Sequence, residues 1–225
     1  MSKSSSLLTQ KTLRRQPQQK RGQQRVEKIL VTAAEVFAEA GFAAATIQQI
    51  ADRANTAVGS IYQFFPDKLA IFHALFTKHL QQIDIIEAEF FRGAIDAPIS
   101  QKIDRYLDPY ISYFEQPIPR CILIQAYLQP IEGLAEIMAD LPDRALLQID
   151  RHANLYRQRN PNLSIAKSKL VAEVLQHMCI SLFLHAMQSD REHRQEIYAE
   201  IKNVLCVYLN PHIGDHLLQV SNQLM

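Results

Sequence analysis

Thr46-Ile47-Gln48-Gln49-Ile50-Ala51-Asp52-Arg53-Ala54 is followed by Asn55-Thr56-Ala57 and then by Val58-Gly59-Ser60-Ile61-Tyr62-Gln63-Phe64. A Thr ahead of an apolar-periodic run, with Gln49 three residues on, is the capping-box pattern that starts a helix. The cap itself contributes ~1 kcal/mol. This helix ends near Ala54-Asn55, because Asn tolerates the left-handed conformation better than most residues other than Gly. The spacing predicts a third short helix over about 58–64. Upstream, Val26, Ile29, Leu30, Ala33, Phe37 and Ala40 recur at i, i+3 and i+4, so one longer helix runs from about Gly22 to Ala40. Gly41 suits the left-handed position just past its end. Pro66-Asp67-Lys68 opens a fourth helix, Pro being favourable at the first helical position.

Two short helices joined by a tight turn, behind a longer supporting helix, describe a helix-turn-helix. The unit's physics sets its residue types. Ala51, Ala54 and Ala57 are small enough for two helices to cross closely, and Ile47, Ile50, Val58 and Ile61 fill the core between them. The second helix must present a slim, polar N-terminal half to enter a major groove. Thr56, Ala57, Gly59, Ser60 and Gln63 meet that need, with Gly59 permitting close backbone approach. Tyr62 and Lys68 suit phosphate, which positions a protein without reading sequence.

Charge supports this reading. Over the 225 residues the formal net charge is only +1. Residues 1–79, however, hold 11 basic and 5 acidic side chains, a net of +6, and residues 80–225 carry a net of −5. A basic arm, residues 1–20, holds Lys3, Lys11, Arg14, Arg15 and Lys20, and Arg21 and Arg25 follow it with no acidic residue among the first 25. A basic end on a neutral chain points to nucleic acid. Such an arm is expected either to be a solvated tail or to reach the minor groove and add non-specific affinity.

At these residues the chain resembles the TetR family of transcriptional regulators. The match runs from Thr46 to Ala54, through Asn55-Thr56-Ala57, to Val58-Gly59-Ser60-Ile61-Tyr62-Gln63-Phe64-Phe65-Pro66-Asp67-Lys68. The family's Phe-x-x-x-Gly-Phe/Tyr is met by Phe37, Gly41 and Phe42. It covers roughly residues 22–76. Two positions depart: the family's turn Gly is Asn55, and its capping Ser is Ala57. The resemblance implies an all-α chain with an N-terminal three-helix head (21–66), a linking helix (66–91) and a larger ligand-binding and dimerisation body (80–225). It also implies Thr46, Tyr62 and Lys68 on phosphate, and Thr56, Gly59, Ser60 and Gln63 facing the groove.

The body reads as helices near 99–116, 119–129, 142–159, 164–188 and 191–209, with short pieces at 131–139 and 214–224. Phe90, Tyr110, Tyr113, Gln125, His152, Tyr156 and Phe183 are candidates to line a mostly apolar effector pocket. Leu170, Val174, Met178, Ser181, Leu182, His185, Ile201, Leu205 and Tyr208 fall at helical spacing for a four-helix homodimer interface.

Other chemistries find little support. There is no Gly-rich phosphate loop, Gly-x-Ser-x-Gly elbow or His-Glu-x-x-His, so no enzyme is expected. No cofactor and no metal is expected: His177, Cys179 and His185 point to different faces of one helix, and His212 with His216 reads as a surface pair. Cys121, Cys179 and Cys206 are odd in number and widely spaced, as in a reducing cytoplasm. No signal peptide is seen. The densest apolar stretch, near Cys179 to Met187, is broken by Ser181 and His185, short of the ~20 residues that span a bilayer. The expectation is a cytoplasmic dimer on a double-stranded, near-palindromic operator, released by a small, mostly apolar effector. The alternative is an activator or architectural protein of the same fold without an effector.

Overall fold

The computed structural model describes residues 20–93, 95–129, 131–139 and 141–215. Ten helices and no strand occur among them: α1 Lys20–Ala44, α2 Ile47–Arg53, α3 Val58–Tyr62, α4 Lys68–Phe91, α5 Ile99–Phe114, α6 Pro117–Leu128, α7 Leu134–Ile137, α8 Leu141–Arg159, α9 Ile165–Gln188 and α10 Arg191–Ile213. The all-α expectation holds. Lys3, Lys11, Arg14 and Arg15 of the arm, and nearly all of the 214–224 piece, lie outside the described residues.

Two compact units emerge. One takes the chain up to Ile85 together with Phe114–Met138; the other takes Ile86–Tyr113 and the chain from Ala139 onward. In the first unit the α1 stripe is buried as its spacing requires: Val26, Ile29, Leu30, Ala33 and Phe37 all face inward, while Ala40 is exposed. Phe37, Phe42 and Phe72 pack as an aromatic cluster with centroids 5.2 to 5.9 Å apart. Such ring pairs add ~0.5–1.5 kcal/mol beyond their buried area.

Gly41 breaks α1 without ending it. Its φ is 77° and its ψ is 159°, an extended left-handed-side conformation that L side chains rarely adopt, and the chain resumes a helical turn over 42–44. A break of this kind leaves backbone groups without helical partners. Gln125 of α6, only 1% exposed, hydrogen-bonds backbone groups on either side of the break. Its Oε1 accepts the Phe42 N–H at 2.6 Å and its Nε2 donates to the Phe37 carbonyl at 3.0 Å. Lys68 completes the repair. Its ammonium donates to the carbonyls of Phe42, Ala43 (3.1 Å) and Ala45 (2.8 Å) and lies 4.5 Å from the centre of the Phe42 ring. A cation on the last carbonyls of a helix is favourable, and this one is partly desolvated, which holds its pKa below the usual lysine value.

The second unit is built from α5, α8, α9, α10 and the end of α4. Arg159, 2% exposed, is its main polar tie. Its guanidinium donates to the carbonyls of Ile95 (2.7 Å), Ala97 (2.6 Å) and Ile213 and pairs with Asp215, whose Oδ1 also accepts the Ile99 N–H at 2.9 Å. The start of α5, the end of α8 and the end of α10 thus converge on one side chain. Ser164 and Asp190 cap α9 and α10 by accepting from the N–H groups of Lys167 and His193.

One expectation about membranes changes. By length and composition α9 is apolar enough to cross a bilayer, since the helix runs unbroken through Ser181 and His185. Core helices of globular bundles pass the same test. Here Val171, Ala172, Leu175, Phe183, Ala186 and Met187 are buried within the unit.

Candidate functional site

The helix-turn-helix is assembled by the local signals read above. Thr46 caps α2 in a full capping box: its Oγ1 accepts the Gln49 N–H at 3.1 Å, and Gln49 Oε1 accepts the Thr46 N–H at 2.8 Å. Asn55 takes φ 47°, the left-handed turn the sequence required of it. Ala51, Ala54, Ile50 and Ile61 are fully buried where the two helices meet, while Ile47 and Val58 are half-buried. Ala57 differs from its expected packing role. It is exposed and serves as the N-cap of α3, with no side-chain hydrogen bond. The start of α3 therefore has no side-chain cap.

The α3 surface is open. Ala57, Gly59, Tyr62 and Gln63 are exposed, and Thr56 and Ser60 are half-buried. A Cβ placed on Gly59 would meet nothing within 4 Å, and its φ is not positive. Neither packing nor backbone strain therefore explains this glycine. Gln63 is the C-cap of α3, one residue past its last turn, and Phe64 and Phe65 anchor the exit in the core.

The cations of this unit divide into two groups. Lys68, read from sequence as a phosphate contact, has its three donors on the α1 carbonyls, and Arg53 pairs with Glu39 at 2.6 Å and Lys78 with Glu27. Lys20, Arg21, Arg25 and Lys28 are exposed on the first turns of α1, where there is no acidic residue in the first turn.

The second unit contains a partly open cavity of about 60 Å³. By comparison a single water needs ~10–15 Å³ by this measure. Each helix supplies residues at helical spacing: Phe90; Ile99, Lys102, Ile103 and Tyr106; Gln148, His152, Leu155 and Tyr156; Ala172, Leu175, Gln176 and Cys179; Leu205, Leu209 and Ile213. Of the residues expected there, Phe90, His152 and Tyr156 line it. Tyr110, Tyr113, Gln125 and Phe183 do not. Gln125 belongs to the other unit, bridging the α1 break. Tyr110 donates to Glu87, and Phe183 packs on Tyr198 with centroids 5.3 Å apart. The half-buried Tyr113 hydroxyl is pushed up to about 12 by desolvation.

Burial governs the titrating groups around the cavity. It lowers the His152 pKa, although the carboxylate of Glu87 and the bond to the Gln148 carbonyl pull the other way. It pushes the Cys179 thiol up to about 12 and raises that of Cys206, which opposes a reactive-thiol reading of either. Gln176 Oε1 and Glu87 Oε2 are buried without a hydrogen-bond partner. Sequence reading missed Lys102. The signal was present: Ile99, Lys102, Ile103 and Tyr106 stand at i, i+3, i+4 and i+7, so a charge interrupts an apolar stripe.

Of the residues expected at a subunit interface, Leu170, Ser181 and His185 are exposed and Val174, Met178, Leu182 and Tyr208 are half-buried. Ile201 and Leu205 are buried within the chain, and Leu205 faces the cavity. Among the described residues, no group of three or more His, Cys, Asp or Glu side chains is placed to hold a metal ion; His216 lies outside them.

Comparison with known proteins agrees with this geometry. Residues 29–75 match the family model for bacterial regulatory proteins of the tetR family, and residues 98–209 match that for the Tetracyclin repressor-like C-terminal domain. A curated relative, the HTH-type transcriptional activator FasR of Mycolicibacterium smegmatis, is 36% identical over 55 residues. That stretch is 24% of this chain and 25% of the relative. Solved structures share the fold. The fatty acid degradation regulator FadR of Bacillus halodurans superposes with a TM-score of 0.61 at 16% identity, covering 82% of this chain and 94% of that one. A transcriptional regulator (TerR/AcrR family) of Aquifex aeolicus gives 0.59 at 18% identity, covering 81% and 98%.

Proposed function

Because the chain belongs to the TetR family of transcriptional regulators, we propose that this DNA-binding helix-turn-helix protein is a dimeric repressor released by a small, mostly apolar effector. Its two domains are those of a regulator, not of an enzyme. The observation that carries the reading is the α3 face: an exposed, uncapped, uncharged surface with a glycine that no internal contact requires.

Two copies of α3 would enter successive major grooves of a near-palindromic operator, ~34–36 Å apart. One short helix reads too few base pairs for a useful site, which is why a dimer is needed. The strip of Leu170, Val174, Met178, Ser181, Leu182, His185 and Tyr208, with Val204, supports pairing through α9 and α10. Arg21 and Arg25 contribute affinity through phosphate, Thr46 and Tyr62 fix the register, and Thr56, Ser60 and Gln63 read bases. An effector in the second unit's cavity acts by preferring one spacing of the two α3 helices over the other. The protein works in the cytoplasm, where its operator lies.

Footprinting on the gene's own upstream region tests the proposal. A protected near-palindrome in moderate salt is expected, and equal affinity for random duplex refutes it. Tyr62→Phe should weaken all sequences alike, and Gln63→Ala should relax preference at one base position. Activation is the second reading, favoured by the name of the Mycolicibacterium relative. A reporter driven by the upstream region separates the two by the sign of its response to deletion.

A further inference from the structure

We propose that the effector is an apolar body bearing an uncharged hydroxyl or N–H group, which donates to the side-chain carbonyl of Gln176. The inference rests on the reading of the second unit's cavity as an effector site, and adds the chemistry of its occupant's polar end.

Gln176 of α9 lines the cavity, and its Oε1 is sealed from solvent without a hydrogen-bond partner. A buried acceptor left unpaired costs free energy, so such an atom marks a place where a donor belongs. Its Nε2 reaches Gln148 Oε1 at 3.4 Å, which is long for such a bond. The last torsion of a Gln side chain is broad, so turning Oε1 toward the cavity gives up little. On α8, Gln148 and, one turn further, His152 belong to the same wall. His152 Nδ1 lies 3.0 Å from the Gln148 backbone carbonyl, a contact that puts a proton on Nδ1. Burial holds the ring toward its neutral form, so its Nε2 is an acceptor as well. One part of the wall thus offers two acceptors, Gln176 Oε1 and His152 Nε2.

The complementary group has a proton to give and no charge. An ionised carboxylate has no such proton. An ammonium would be desolvated with no anion beside it, since no Asp or Glu is among the described lining residues. A wholly apolar ligand would leave the Gln176 carbonyl unpaired. At ~10–15 Å³ per water, the cavity of about 60 Å³ holds on the order of five waters, the room of one small ring. That ring would lie on Phe90, Tyr156, Leu175 and Leu209.

Three probes with one body test this on the full chain by calorimetry: 4-ethylphenol, 4-ethyltoluene and 4-ethylbenzoate. The phenol, uncharged at neutral pH, should bind about 5- to 150-fold more tightly than the toluene, the range expected for pairing a buried acceptor. It should also bind more tightly than the benzoate. Gln176→Leu should erase the lead of the phenol over the toluene and leave toluene binding within a few-fold. Gln148→Leu, which keeps the Gln176 carbonyl, should preserve that lead. If Gln176→Leu does not fold, the ranking of the three probes on the unsubstituted chain decides. Equal binding of phenol and toluene, tighter binding of the benzoate, or a lead that survives Gln176→Leu overturns the donor assignment while leaving the effector cavity intact. Binding of none of the three overturns the cavity reading itself, and the donor assignment with it.

Discussion

Gly59→Ala separates folding from function, because the two effects should have opposite signs. The added Cβ meets no atom within 4 Å and the backbone is not in the left-handed region, so no steric cost is incurred in the free protein. Ala is better than Gly inside a helix by ~0.8–1.0 kcal/mol, and much of that comes from a less flexible unfolded chain. In the five-residue α3 a gain of ~0.5–1 kcal/mol is expected, raising the midpoint by about 1–4 °C for a chain of this size. On DNA the same methyl occupies the space into which a groove must close. Forcing a methyl into a packed contact costs ~1–3 kcal/mol, or roughly 5- to 150-fold in affinity. Thermal unfolding and fluorescence anisotropy on a labelled upstream duplex measure both in one preparation. A more stable variant that binds DNA as tightly as the parent removes α3 from the groove. A less stable variant shows that the glycine answers an internal need.

Other outcomes follow from the same geometry. Gln125→Leu removes the acceptor of the Phe42 N–H and the amide donor to the Phe37 carbonyl, which keeps the Cys121 thiol at 3.4 Å; at ~1–3 kcal/mol for an orphaned buried group the urea midpoint should fall by the equivalent of about 1–3 kcal/mol. Lys68→Met should destabilise the protein by about 2 kcal/mol through the α1 carbonyls yet leave the salt dependence of DNA binding unchanged. Arg21→Gln should do the reverse, shallowing the log–log salt slope by ~0.9 with stability intact. His79, packed beside Phe76 and Phe114, is held neutral by burial with its pKa lowered to about 4. Its contribution is fully present above the unfolded value of about 6.5 and is lost as pH falls toward 4, amounting to about 3 kcal/mol. Urea titrations between pH 7 and pH 4 should show this slope, and His79→Leu should flatten it. A residual slope of the same sign is expected from His152, whose pKa burial also lowers.

The head was legible because its signals are local. A capping box needs only Thr46 and Gln49, a left-handed turn only Asn55, and an amphipathic stripe only spacing along α1. The body was legible only in its helices. Tyr110, Tyr113 and Phe183 are aromatic and helically spaced, as Phe90 and Tyr156 are, and spacing alone does not say which of two inward directions a side chain takes. Lys102 was overlooked for the complementary reason. A Lys is expected at the surface, and only the packing of α5 shows that this one is walled in.

Gln125 and Lys68 mark the boundary between the two kinds of information most sharply. The sequence alone determined the helices, the helix-turn-helix and the uneven charge, because each depends on residues close to one another along the chain. The tertiary structure decided that α6 packs with α1, that Gln125 repairs the break at Gly41 across 83 residues of chain, and that Lys68 turns inward. It also decided which side chains enclose the cavity. Partners so distant in sequence leave no periodicity behind, since a buried amide or ammonium is fixed only by the donors and acceptors that folding brings to it.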